Sequence, residues 1–476
     1  MKRLKYFIII IGLGFISSCQ DSFVQEDPDF LIDSESFFNS PQDFEEALVG
    51  AYDLLQSTYL NVMLGEIASD NTLAGGGSAN DVLGIQEIDD MIHTPVNQQL
   101  RDIFGWMYSG LNRANFILEF QDNIGDFEGR DRILGETRFL RAYFMFELVK
   151  FFGDIPFLED QRIQFGDQFE IDRRPVSEAY ALMEADLQFA GSVLDPIAFE
   201  TGRVTSGAAL SLLGKILVFQ DRFDEAVPVL DEVINSGVYD LVDDYDSIFE
   251  SIGENNIESV FEIQYTDQEG ASFGCLQCSE GNVAVGFNGI RNYNGPMFDS
   301  GFSFNVPTQE VFDAFEVGDI RRDVAILDID AFSAQNGATF VEGFEHTGFY
   351  NRKYIARQGD ANIGDQNLTN PNNYRAIRFA DVLLLGAEAH NRGGGSDATA
   401  QLYLNRVRER AQLTPVTLTG AALTDAIYQE RRVELVGEGH HFFDLVRTDR
   451  AAIEIDGFTV GRNELFPIPS IEIELA

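Results

Sequence analysis

The stretch FLRAYFMFELVKFFGDIPF, residues 139–157, sets the tightest limit on what this chain can fold into. Seven of its nineteen residues are aromatic, so it must either be covered on nearly every side or cross a membrane. Its spacing, with the approach EGRDRILGETR, predicts one helix from about Asp131 to Phe152. A membrane span needs about twenty apolar residues with few or no charges. Here Arg138, Arg141, Glu147 and Lys150 interrupt the run. Gly153 supplies a stop, and Asp154 with Pro156 prevents continuation. Aromatic residues at helical spacing are core far more often than a cofactor box. The reading is a core helix buried among other helices, with Arg141 and Glu147 paired inside the bundle because buried charges need partners.

Helices dominate the first half. SPQDFEEALVGAYDLLQSTYL opens with Ser40 as N-cap, Pro41 in the first turn and acids Asp43, Glu45 and Glu46 near the positive dipole end. NQQLRDIFGWMYSGLNRANFILEF reads as a second long helix, with Trp106 assigned to its core face. Residues 205–242 give two amphipathic helices, about 204–219 and 223–236, joined by QDRF; small residues such as Gly214 and Ala226 allow close approach, as in a tetratricopeptide hairpin. From about 245 to 305 Gly, Asn, Ser and isolated aromatics take over; ESVFEIQY is a strand and the remainder long loop. YRAIRFADVLLLGAEAHNR, DATAQLYLNRVRERAQL and GAALTDAIYQERRVELVGEG read as three further helices. The fold class is mainly α: helical hairpins forming a scaffold at 41–242 and 372–440, with a loop-rich insert at about 245–371 containing little β.

The first residues differ from all that follows. Lys2, Arg3 and Lys5 precede the short apolar run FIIIIGLGFI, which ends at Ser17, Ser18 and Cys19. That is an export signal over residues 1–18, resembling a lipobox that lipidates Cys19; the alternative is an ordinary signal peptide that contains a Cys. Residues 19–40 then form a lipid anchor and tether, and 41–476 a single domain. The expected location is outside the cytoplasm, held by lipid. Seventy-eight acids against 33 bases, net −45, argue against a nucleic-acid partner, whose phosphates would be repelled. Cys275 and Cys278 are the other two cysteines. In an oxidising compartment a local disulfide is the better reading. A zinc site wants about four ligands, and none of the five His has the spacing to complete one. A redox motif would need a helix start after a strand.

No P-loop, H-E-x-x-H or G-x-S-x-G occurs, so no enzyme is indicated. No cofactor or metal is expected; the one calcium-like candidate, GDANIGD with Asp360, Asn362 and Asp365, lacks the closing Glu of a calcium loop. Several blocks do carry information together: WMYSGLNRANFIL, RFLRAYFMFELVKFFGDIPF, YRAIRFADVLLLGAEAHNR, ERRVELVGEGHHFFDLVR and LFPIPSIEIE. In this order they resemble the SusD/RagB family of Bacteroidetes surface lipoproteins. The resemblance implies tetratricopeptide-like helix pairs and a non-catalytic subunit seated over a SusC-like TonB-dependent channel, capturing oligosaccharide or polysaccharide. In RagB-type members the cargo is peptide. His441-Phe442 departs from the family's usual Arg-Trp. Two other readings are a tetratricopeptide adaptor without small-ligand affinity and, unsupported by any motif, a glycan hydrolase.

Sugar recognition calls for aromatic faces plus Asn, Asp and Arg side chains on loops held by a rigid scaffold. Two loops fit, 69–81 and 289–302. They nominate Asp70, Asn71, Asn80, Asp81, Arg291, Tyr293 and Asn294, with Phe298 as a second stacking platform.

Overall fold

The computed structural model describes residues 37–475, apart from 165, 168, 169, 361, 362 and 366. The export signal, Cys19 and most of the tether therefore lie outside the described residues, as does Asn362. Helix α1, Pro41–Asp53, begins as its sequence asks: the Asp43 carboxylate accepts from the Ser40 N–H at 2.7 Å and the Ser40 hydroxyl at 2.9 Å. The chain then tightens into a 3-10 turn, Leu54–Thr58, before α2, Tyr59–Ile67. Strand β1, Thr72–Ala74, and α3, Leu83–Asp89, lead to α4, Gln98–Glu119, whose first turn is capped by the Asn97 side chain.

The aromatic stretch is α5, Arg130–Phe152, buried around nearly its whole circumference. Gly153 ends it at φ 70°, and a Cβ there would come within 2.6 Å of Leu465. Helix α6, Val176–Val193, was not anticipated. Its buried Ala179, Met183, Leu187 and Ala190 recur at helical spacing, but intervening acids dilute the signal. It supplies Asp186, which takes the Arg141 guanidinium at 2.6 and 2.7 Å; Glu147 holds Lys150 at 2.6 Å. Helices α7, Ser206–Phe219, and α8, Phe223–Ile234, form the expected hairpin, and a Cβ on Gly214 would sit 2.3 Å from Leu230.

Strand β2, Ser259–Ile263, and helix α9, Val283–Asn288, lie in the loop-rich part, with β3, Asn305–Pro307, β4, Ile326–Asp328, and β5, Phe349–Asn351. One block departs from the helical reading: YRAIR is strand β6, Tyr374–Arg378, antiparallel to β2 and fully buried; α10, Phe379–Arg392, starts only after it. All five residues are buried, with Arg on both faces, so the strand carries no apolar–polar alternation and its sequence runs on into the helical pattern behind it. Helices α11, Asp397–Arg410, α12, Ala421–Leu435, and α13, His441–Arg447, complete the scaffold. Most sequential helices from α4 to α11 pack on their neighbours, the arrangement of stacked helical hairpins.

Buried ion pairs join the scaffold to the loop-rich part. Arg378 reaches Glu258, Glu434 and Glu438 at 2.7–2.8 Å; Arg410 bonds Glu258 and Glu434; Arg321 bonds Asp319, Glu430 and Glu434; Lys353 bonds Glu438 at 2.6 Å. The bundled cations hold the Glu434 and Asp444 carboxyls well below the usual carboxylate range despite full burial. The chain has five lysines in all. The three among the described residues, Lys150, Lys215 and Lys353, all turn inward onto carboxylates. No helix among the described residues is long and apolar enough to cross a membrane.

Candidate functional site

Strand β1 follows α2, and it pairs antiparallel with β3, 231 to 235 residues later, with Thr72 opposite Pro307 and Ala74 opposite Asn305. This pairing brings the two nominated loops side by side. Asp81 and Arg291 meet there, Nη2 to Oδ2 at 3.2 Å; Asp81 also accepts the Gly77 N–H at 2.6 Å. Arg291 is otherwise spent on Ser303 Oγ, 3.1 Å from Nε, and on the Phe302 carbonyl. Ser303 holds φ 54°, a left-handed turn fixed by that buried contact.

Below this pair opens a cleft of about 400 Å³, within the size range of small-molecule sites. One wall is α2, contributing Tyr59, Leu60 and Met63. A second is α4, contributing Gln99, Asp102 and Trp106 at i, i+3 and i+7, one helix face. The third is aromatic: Phe273, Phe287, Phe302 and Phe304. Phe302 stacks on Phe304 with centroids 5.6 Å apart, and Phe273, about half exposed, meets Phe302 edge-on at 5.6 Å. The ring of Trp106 lies 6.1 Å from that of Tyr59.

The cleft also holds unspent polarity. The Tyr59 hydroxyl and Gln99 Oε1 are buried and without a hydrogen-bond partner among the described residues. Burial raises the Tyr59 pKa well above its ordinary value and raises that of Asp102 as well. Buried donors and acceptors left unpaired are costly.

The Cys275 and Cys278 sulfurs are bonded, closing a tight loop that presents Leu276 to the cleft just after Phe273. The Phe273 N–H donates to Asp365 at 2.9 Å.

Of the eight nominated residues, only Asp81 and Arg291 line the cleft. Asp70 and Asn71 turn to the scaffold: Arg432 Nη2 lies 2.5 Å from Asp70, Arg432 Nε 2.8 Å from Asn71 Oδ1, and His441 Nε2 3.0 Å from Asp70. Burial pulls the Asp70 pKa up, but His441 and Arg432 outweigh it and hold the carboxyl below its ordinary value. Asn80 and Asn294 are exposed loop residues outside the cleft, and the Asn294 backbone pairs with Thr339.

Tyr293 and Phe298 are corrected outright as stacking platforms. They pack on each other in a small separate core with Ile290 and Tyr350, at 8% and 1% exposure, and the Tyr293 hydroxyl donates to the Pro296 carbonyl at 2.5 Å. Pro296 and Met297, the latter at φ 75°, reverse the chain so that both rings face inward. Trp106 is corrected in the opposite sense: it is partly exposed and lines the site. Its sequence signal was the polar pair Gln99 and Asp102 on its own helix face, where a core face would be apolar.

Among the described residues one acidic cluster, Asp70, Glu310 and Glu454, has the spacing of cation ligands, and the Arg432 guanidinium already contacts the first two. Asp360 and Asp365 of the calcium-like loop are engaged separately, Asp360 with Asn370 and Arg357 and Asp365 with Phe273.

Two family models match, the SusD family over residues 327–464 and "Starch-binding associating with outer membrane" over 22–218. SusD-like protein P2 of Formosa agariphila is 27% identical over 511 residues, covering 99% of this chain and 97% of that protein. A solved laminarin binding SusD-like protein is 32% identical, with a TM-score of 0.85 over 92% of this chain and 98% of that one. Surface glycan-binding protein A of Bacteroides thetaiotaomicron, solved in complex with laminarihexaose, is 28% identical, with a TM-score of 0.80 over 91% and 97%. The helical scaffold, the order of the matched blocks and this likeness along nearly the whole chain place the protein in the SusD/RagB family.

Proposed function

We propose that this chain is a lipid-anchored surface protein that captures a laminarin-type glycan in the Trp106 cleft and hands it to a SusC-like TonB-dependent channel. The observation that carries the reading is the cleft itself. A tryptophan and Phe273 offer ring faces to sugar C–H surfaces, while Gln99, Asp81, Asp102 and the unpartnered Tyr59 hydroxyl surround them with hydrogen-bonding groups. Relatives named for laminarin and laminarihexaose support this cargo. The export signal and Cys19 support the lipid anchor. Calorimetric titration of the protein from residue 20 onward with laminarihexaose tests the reading, with short peptides as control. Saturable binding lost in Trp106→Ala supports it; binding of peptides alone transfers the protein to the RagB-type reading. Co-purification with an adjacent-gene channel from native membranes tests the partnership.

A further inference from the structure

A second depression lies beside the cleft. It has a volume of about 320 Å³ and is walled by Leu55, Gln56, Gly202, Ile263, Gln264 and Glu280, with exposed Val49 and Thr201 on its lips. Both hollows are cut from the same two pieces of chain. Leu55 and Gln56 precede Tyr59 and Leu60 in one continuous run of helix, Leu54–Thr58 into Tyr59–Ile67, and Gln56 stands one 3-10 turn before Tyr59. Leu276 lines the cleft and Glu280 the groove, four residues on and therefore at most about 14 Å away. The disulfide loop is the ridge between them, fastened to the helical wall where the Gln56 amide donates to the Gln277 carbonyl at 3.3 Å.

The groove's chemistry restricts what can lie in it. Asp53, Glu262 and Glu280 are its acids. Its one cation, Arg203, is already held by Glu45 at 2.7 Å and Glu136 at 3.4 Å. A polyanion would be repelled. Carboxylate, hydroxyl and aliphatic surface faces an uncharged, hydroxyl-rich chain, from Asp53, Glu280, Thr201 and Val49. The Gln56 amide is held by the Gln277 carbonyl and the Gln264 amide by Asn255 and Asn373.

We propose that the groove is an extension subsite, in which a long uncharged polysaccharide continues past the disulfide ridge after its first residues fill the cleft. The inference rests on the cleft reading above. It predicts that affinity grows with chain length beyond what the cleft holds, because further residues of one ligand bind without a second association cost.

The test titrates the protein with laminaritriose, laminarihexaose and polymeric laminarin. Val49→Arg and Thr201→Arg, alone and together, lay long side chains across the groove from exposed positions, and unchanged melting temperatures confirm that they fold. The expected result is a several-fold gain from trisaccharide to polymer in the parent protein. That gain is lost in the double variant, whose trisaccharide affinity is unchanged. Equal affinity at all lengths in the parent overturns the subsite, as does a double variant that keeps the gain. Absence of binding at every length overturns the cleft reading itself, so the two failures are told apart.

Discussion

Arg291 donates from Nη2 to the Asp81 carboxylate across 3.2 Å of space and 210 residues of sequence. Neither residue reaches this position through its own loop alone. The β1–β3 pairing sets the two loops side by side, and Ser303 and the Phe302 carbonyl consume the rest of the guanidinium. The pair fixes the rim of the cleft and leaves Arg291 little freedom to recruit an anionic cargo. Arg291→Ala should therefore weaken laminarihexaose through loss of rim order, without improving the binding of sulfated or uronate oligosaccharides. Parallel titrations with both ligand classes check this.

Trp106 is the chain's only tryptophan, and it lines the cleft. Intrinsic fluorescence therefore reports on that wall alone, and ligand binding should change its intensity or wavelength. Trp106→Ala should abolish the signal and cost about 2 kcal/mol of binding, roughly thirtyfold in Kd, as anchor aromatics do. Because the ring is only partly buried, the melting temperature should fall little.

Breaking the Cys275–Cys278 bond should affect binding more than folding. So short a closed loop contributes about 2 kcal/mol by chain entropy, while Phe273 and Leu276 depend on it for their position. The double variant Cys275→Ser, Cys278→Ser should bind laminarihexaose more weakly than the parent at 25 °C while remaining folded by circular dichroism. Reductant added to the parent should reproduce the loss.

Removing Arg378 would leave Glu258, Glu434 and Glu438 with fewer buried partners. Arg378→Ala should destabilise the protein by about 3–5 kcal/mol. Urea denaturation at neutral pH measures it.

Glu66 offers a pH test with a defined sign. It is fully buried; its Oε1 accepts the Gly439 N–H at 2.6 Å while Oε2 has no partner among the described residues, and burial raises its pKa to about 7. A carboxyl raised in the fold contributes stability that is complete below its unfolded value, near 4.5, and is lost as pH climbs through about 7. Glu66→Gln should accordingly gain on the parent between pH 5 and pH 8, by up to about 3 kcal/mol. Taking the difference between variant and parent cancels Asp89, also raised to about 7 by burial, and His93, lowered by burial to about 4. Urea midpoints at pH 5 and pH 8 decide it.

The scaffold was legible because its signals are local. Ser40 and Pro41, the aromatic density of 139–152 and the close Gly214–Leu230 contact each declare a helix or a helix pair from neighbours in sequence. β6 hid because a strand buried on both faces shows no alternation and its five residues run straight into the fourteen-residue helix that follows. In the site, Asp81 and Arg291 were legible as loop chemistry. Tyr293, Phe298 and Trp106 were misassigned because loop or helix membership does not say which way a ring faces. Met297 at positive φ and the β1–β3 register decide that, the first in a turn that Gln358 bonds from 61 residues away and the second through a pairing across more than 200 residues.

The three lysines of the described chain all point inward onto Glu147, Asp381 and Glu438, so every side-chain cation on its surface is a guanidinium or an imidazole. Sugars with free reducing ends carry a latent aldehyde, and aldehydes condense with uncharged primary amines to form imines, whereas guanidinium stays protonated. A surface built this way gives captured sugar no lysine amine with which to condense. It also gives amine-directed coupling reagents almost nothing to label, so any immobilised assay of this protein must be anchored by other chemistry.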